Sequence, residues 1–171
     1  MATDYEKYYR DTKHALGEPT KEFVQFFATY AKPNVRVLDV GCGQGRDALF
    51  IARLGHNVLG IDTSSSGIRD MVADSELEGL GIVGEVADIR SYEPQGEFDI
   101  ILIDRTLHML NKTDRLNVLG RLVDHVTQKG HLLVADEHVN MPGFNQVLEA
   151  SGSNWEAIKQ RKGFLFAIKN A

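Results

Sequence analysis

A single cysteine, Cys42, stands among 171 residues. That excludes an internal disulfide, leaves no second thiol to share a zinc ion, and fits a reducing compartment. Long apolar runs are missing too: nothing approaches the roughly 20 residues of a membrane-spanning helix. The first ten residues are polar and charged, so neither insertion nor export is expected and the cytoplasm is. Basic runs are absent, and 19 Lys and Arg against 24 Asp and Glu leave a net charge of −5, which argues against a nucleic-acid partner. No repeat or low-complexity tract interrupts the chain. With 43% hydrophobic residues, what remains is long enough for one soluble domain and too short for two.

Apolar runs bounded by turn residues alternate with helical patterns, the order of a βαβ protein with a parallel sheet. Strands are expected at Val35 to Val40, Asn57 to Ile61, Ile82 to Ala87, Phe98 to Ile103 and His131 to Ala135. Helices are expected from Gly45 to Leu54, from the capping run Thr63–Ser66 to about Ser75, and over Leu116 to Val126 with Gly130 as its stop. A short helix starts near Pro142, and Trp155 to Lys159 with Phe164 to Ile168 reads as an antiparallel hairpin. Residues 1–34 hold Phe23, Phe26, Phe27 and Tyr30 at core-facing helical spacing after Pro19. The same segment holds Tyr5, Tyr8 and Tyr9, which suit packing or an arm that covers a ligand.

The stretch "VLDVGCGQGRD", Val37 to Asp47, abandons side chains where the chain leaves the core. Glycine packs poorly and loses much backbone freedom on folding, so three at this spacing imply close approach to the main chain. Asp39, Asp62, Asp88, Asp104 and Asp136 stand at or near the ends of five expected strands, the edge where open parallel sheets bind ligands. Asp62 follows Asp39 at close to the offset of an acid that accepts two ribose hydroxyls, for which a carboxylate has two acceptor oxygens. The helix beginning near Gly45 offers N–H groups to a carboxylate or phosphate. A nucleotide-hydrolase loop requires lysine and a hydroxyl after the last glycine, and neither is there. The third glycine falls one residue early for a dinucleotide loop, and Asp39 would repel pyrophosphate but attract ammonium.

On these residues "VLDVGCGQGRDALFIARLGHNVLGID" resembles the first two motifs of the class I S-adenosylmethionine-dependent methyltransferases. "EVADIRSY", "FDIILIDRTLHML" and "LVDHVTQKGHLLVADE" are similar to the family's later motifs, so the likeness spans roughly residues 35–137. It implies an α/β fold: a Rossmann-like, seven-stranded, mostly parallel sheet with helices on both faces and a C-terminal antiparallel hairpin. It implies S-adenosyl-L-methionine as cofactor, its ammonium on Asp39, its ribose on Asp62 beside Thr63, and its adenine flanked by Asp88 and Ile89. Gly41, Cys42, Gly43, Gly45 and Arg46 form the turn against which it lies, and Asp104 closes the set. Arg46 and the compact size look most like the tellurite-resistance and thiopurine branch, which acts on small soft nucleophiles.

Methyl transfer from a sulfonium is an in-line displacement, and a base is needed only for a protonated acceptor. Asp104 and His108 are the candidates, since both follow the fourth strand, where the family presents substrate. The expected partner is a small-molecule methyl acceptor; monomer and homodimer stay open. Asp104, Asp136 and Glu137 also stand where metal-dependent catechol-type O-methyltransferases hold a divalent cation. A nicotinamide-dependent oxidoreductase and a non-catalytic binding module are the other readings. His14, His56, His125, His131 and His138 share no ligand spacing and read as surface histidines, and Cys42 as a small residue filling the loop. The chain reads as one domain, residues 35–171 forming the core and residues 1–34 an arm and helix that is the candidate lid.

Overall fold

Val37, Leu38 and Val40 are fully buried, as the apolar positions of a strand covered on both faces must be, and Asp39 among them is buried too. They form β1 (Arg36–Val40) in a computed structural model that describes residues 3–170. The chain divides into two compact units, Met1–Ile89 and Arg90–Ala171.

In the first unit, helices α1 (Tyr5–Asp11) and α2 (Lys21–Thr29) precede β1. Helix α3 (Arg46–Arg53), β2 (Asn57–Asp62), α4 (Ser65–Glu78) and β3 (Ile82–Val86) follow it. The strands run parallel in the order β3-β2-β1, with Asp39 opposite Gly60 and Asp62 opposite Val86. Helix α4 is capped by Ser64, whose hydroxyl accepts from Gly67 N. It continues past the expected end at Ser75 to Glu78, because Gly79, at φ 66°, is where the chain turns left-handed; Ser75 Oγ donates to Leu80 O and closes the terminus. Helix α2 begins two residues after Pro19, and Phe23 and Phe27 face the core as expected. Phe26 stacks on Tyr30 at 5.3 Å, both half-buried. The expected arm is the ordered helix α1, capped by Asp4, whose side chain accepts from Lys7 N.

The second unit contains β4 (Phe98–Asp104), α5 (Lys112–Asp124), β5 (Val126–Ala135), α6 (Met141–Ala150), β6 (Asn154–Arg161) and β7 (Phe164–Asn170). Strands β4 and β5 are parallel, and β7 pairs antiparallel with both β5 and β6, giving the order β4-β5-β7-β6. Seven mostly parallel strands with an antiparallel C-terminal pair are therefore present, as expected. One boundary differs. Val126, read from its spacing as the last helical position, is a buried strand residue opposite Phe98, so α5 ends at Asp124 and Gly130 lies inside β5. Two bonds fix this: Phe98 N donates to His125 O, and His125 Nδ1 contacts Gly96 O at 2.7 Å. The ladder then shifts register before Ile100 meets His131. Among the described residues no helix is long and apolar enough to cross a membrane.

Candidate active site

The glycine turn after β1 is left-handed at Gly41, Gly43 and Gly45, with φ of 76°, 54° and 81°. Gly41 N and Cys42 N both donate to Ile61 O, which binds the turn to the end of β2. Two of these glycines are required by the protein itself. A Cβ on Gly43 would lie 2.5 Å from Tyr9 Oη, and one on Gly45 would lie 2.4 Å from Met71 Cγ. The close approach read from the sequence is thus made in part by two side chains of the chain's own.

Asp39 is buried on β1. Asp62, half-buried at the end of β2, is fixed by one N–H on each oxygen: Gly43 N donates to Oδ2 at 2.9 Å and Ser64 N to Oδ1 at 2.8 Å. Each carboxylate oxygen can accept a further hydrogen bond. Burial raises the Asp62 pKa above its ordinary value and the Glu6 charge adds to the rise, while the N–H groups of Ser64, Gly43 and Thr63 oppose it. Thr63 is exposed beside it; Asp88 is half-buried and Ile89 buried after β3. Helix α3 starts at Gly45, which supplies no capping side chain. The Arg46 guanidinium donates to Thr20 Oγ1 at 3.2 Å and to Asp47 Oδ2 at 2.9 Å, while Asp47 Oδ1 accepts from Thr20 N. Burial pushes the Cys42 thiol well up, and the neighbouring Asp39 and Asp62 charges add to the shift. Such a thiol is inert at neutral pH, as its reading as loop filler requires.

Two residues of this region escaped the sequence reading. Gln44, buried within the glycine turn, has Nε2 at 2.8 to 3.1 Å from Tyr9 O, Thr12 O and Asp70 Oδ2, three acceptors that share its two protons, and its Oε1 accepts from Ala15 N at 2.9 Å. A polar side chain between glycines in a turn this tight was the available signal. Glu6 of α1 lies at the start of α4, accepting from Ser64 Oγ at 2.6 Å, Ser66 Oγ at 2.7 Å and Ser66 N at 3.1 Å. Those hydroxyls hold its pKa down to about 2. No local pattern reveals a contact 60 residues apart. Tyr9 is buried, whereas Tyr8 keeps 40% exposure.

In the second unit Asp104 ends β4, half-buried. Arg105 follows at φ 50°, a left-handed conformation that a side chain rarely adopts, held by its N–H on Ala135 O. His108 lies in the 3₁₀ turn Leu107–Met109, and its backbone N–H donates to Asp136 Oδ2 at 3.0 Å. Asp136 Oδ1 accepts from Glu137 N and from Asn140 Nδ2, each at 2.7 Å. Asp136 therefore organises two turns with both oxygens engaged, and Glu137 is exposed. Among the described residues no group of three His, Cys, Asp or Glu is arranged to hold a metal ion. His56 corrects an expectation: it is buried against Phe27 and Tyr30, with Val35 N donating to its Nδ1, and burial lowers its pKa.

The sequence matches the family described as "Methyltransferase domain" over residues 37–130, more than half of the chain. It is 29% identical over 58% of its length to the probable S-adenosyl-L-methionine-dependent methyltransferase TehB of Haemophilus influenzae, 35% of which is covered. It is 30% identical over 80% of its length to the ubiquinone biosynthesis O-methyltransferase of a Bradyrhizobium species, 46% of which is covered. The chain thus spans between a third and a half of these relatives. Its fold is that of a TehB-like methyltransferase from Corynebacterium glutamicum, with a TM-score of 0.74 and 22% identity over 98% of this chain and 96% of that one. Glycine turn, fixed acid after β2, strand order and sequence likeness agree: the chain belongs to the class I S-adenosylmethionine-dependent methyltransferase family.

Proposed function

We propose that this protein transfers the methyl group of S-adenosyl-L-methionine to a small-molecule nucleophile. The observation that carries the reading is Asp62, held by one N–H on each oxygen with acceptor capacity left for two neighbouring hydroxyls. Asp39 receives the ammonium, the uncapped start of α3 the carboxylate, and Asp88 with Ile89 the adenine. Gly41, Cys42, Gly43 and Gly45 form the floor of this site with Thr63 at its edge. Arg46, engaged by Asp47 and Thr20, supports the turn from behind. When bound, the sulfonium supplies an activated methyl carbon; sulfur keeps the bonding pair as the acceptor's electrons form the new bond. The chain's own task is to align the partners, and His108 or Asp104 takes the acceptor's proton. The TehB and ubiquinone O-methyltransferase likenesses support a small acceptor. The metal-free reading is favoured because all three hydrogen bonds on Asp136, two on Oδ1 and one on Oδ2, come from the chain's own N–H groups.

The test is thermal stabilisation by S-adenosylhomocysteine beside a nicotinamide dinucleotide. Stabilisation by the first, weakened about a hundredfold in Asp62→Ala through loss of about 3 kcal/mol of hydrogen bonding to a charged group, is expected. Stabilisation by the dinucleotide alone refutes the proposal. A screen of thiol, selenol, metalloid, phenol and amine acceptors, with and without magnesium, then identifies the substrate. Tight cofactor binding with no acceptor found, and no loss in Asp104 or His108 variants, would mark a binding module.

A further inference from the structure

The geometry points to Asp136 as a positioning residue for His108: we propose that it holds the imidazole in the Nδ1–H tautomer, leaving Nε2 as the basic atom offered to the acceptor. The inference rests on the reading of His108 as a base. The Asp136 side chain is fully excluded from solvent. Its Oδ1 accepts two hydrogen bonds, from Glu137 N and Asn140 Nδ2, which fills that oxygen. Among the described residues its Oδ2 accepts one, from His108 N, and keeps one lone pair. The nearest ring atom to that lone pair is named by the ion-pair geometry: His108 Nδ1 lies 3.8 Å from Oδ2. Nδ1 is buried and has no hydrogen-bond partner among the described residues, while the side chain as a whole keeps 29% exposure. What the ring shows to solvent is therefore its other edge.

A lone pair on Nδ1 would face a carboxylate oxygen, two electron-rich atoms both buried from solvent. A proton on Nδ1 faces the same oxygen favourably, and a ring movement of about an ångström brings it within hydrogen-bond distance. The hydrogen bond at one ring nitrogen decides which nitrogen carries the proton, so Nε2 is left with the lone pair. In the reaction the acceptor's proton would pass to Nε2, its electron pair to the methyl carbon, and the resulting imidazolium would keep Nδ1–H on Asp136 Oδ2. Asp136 touches no reacting atom in this scheme. It also holds the turn His138–Asn140 through Asn140.

The experiment is a long-range ¹H–¹⁵N correlation spectrum of the full chain at about pH 8, where an ordinary imidazole is neutral. The His108 signals are assigned by their disappearance in His108→Gln. A protonated Nδ1 and an unprotonated Nε2 in the wild type support the proposal, and a predominant Nε2–H tautomer overturns it without any variant having to fold. In Asp136→Asn, a side-chain amide that donates towards Nδ1 should reverse the tautomer; an unchanged tautomer in the folded variant also overturns the proposal. With an acceptor in hand, kcat of Asp136→Asn should fall at least tenfold while the affinity for S-adenosylhomocysteine stays within twofold. Unchanged turnover in His108→Gln would instead remove the base role, and the tautomer would still decide what Asp136 does.

Discussion

Adding one methyl group at Gly43 tests how the N-terminal helix is joined to the glycine turn. Alanine there must keep φ at +54° and place its Cβ 2.5 Å from Tyr9 Oη, 2.9 Å from Cζ and 3.3 Å from Cε2. The left-handed backbone costs a residue with a Cβ about 1 to 2 kcal/mol. Tyr9 is 4% exposed, so relieving the overlap at its hydroxyl end displaces a buried ring. Exposing a side chain of that size costs about 1.5 to 3 kcal/mol, so Gly43→Ala should lose about 2.5 to 5 kcal/mol. In a Tyr9→Ala background the ring is gone, and the same substitution should cost only the backbone share, about 1 to 2 kcal/mol. Urea unfolding of the four proteins, read as midpoint shifts at constant slope, gives the coupling directly. A coupling near zero, with Gly43→Ala equally costly in both backgrounds, would show that Tyr9 does not rest on Gly43 and would detach α1 from the site.

Two other predictions concern the same helix. Gln44→Ala removes the bonds to Tyr9 O, Thr12 O and Ala15 N, of which the first is buried and the others part-buried; it should cost about 2 to 4 kcal/mol and speed proteolysis between residues 11 and 17. Wild-type resistance to cleavage would refute that tether. Glu6 has its folded pKa depressed from 4.5 to about 2, so its hold on α4 is complete above pH 4.5 and fades as the pH falls towards 2. Exchange of the α1 amides should accelerate across that window in the wild type, and a Glu6→Gln protein should lack that Glu6-dependent step; identical profiles would show that the carboxylate contributes nothing.

The helices and strands were legible wherever local chemistry suffices. Strand β1 announces itself by Val37, Leu38 and Val40, α3 as a helix between two glycines, and β2 and β4 each end on a carboxylate, Asp62 and Asp104. Reading failed where one residue type serves two structures. Val126 has the spacing of a helix and the burial of a strand, and only its pairing with Phe98 decides between them. His56 looks like any surface histidine until α2 packs over it.

What the sequence alone determined is the family and the α/β architecture, because strand periodicity and glycine spacing are properties of neighbours along the chain. Tertiary structure decided that Tyr9 and Met71 crowd two of the glycines, that Glu6 and Gln44 bind the N-terminal helix to the turn, and that Asp136 meets His108. Each of these contacts joins residues 26 to 60 positions apart. Hydrogen bonding and packing at such separation depend on where the folded backbone returns, and no local pattern of residues encodes that return.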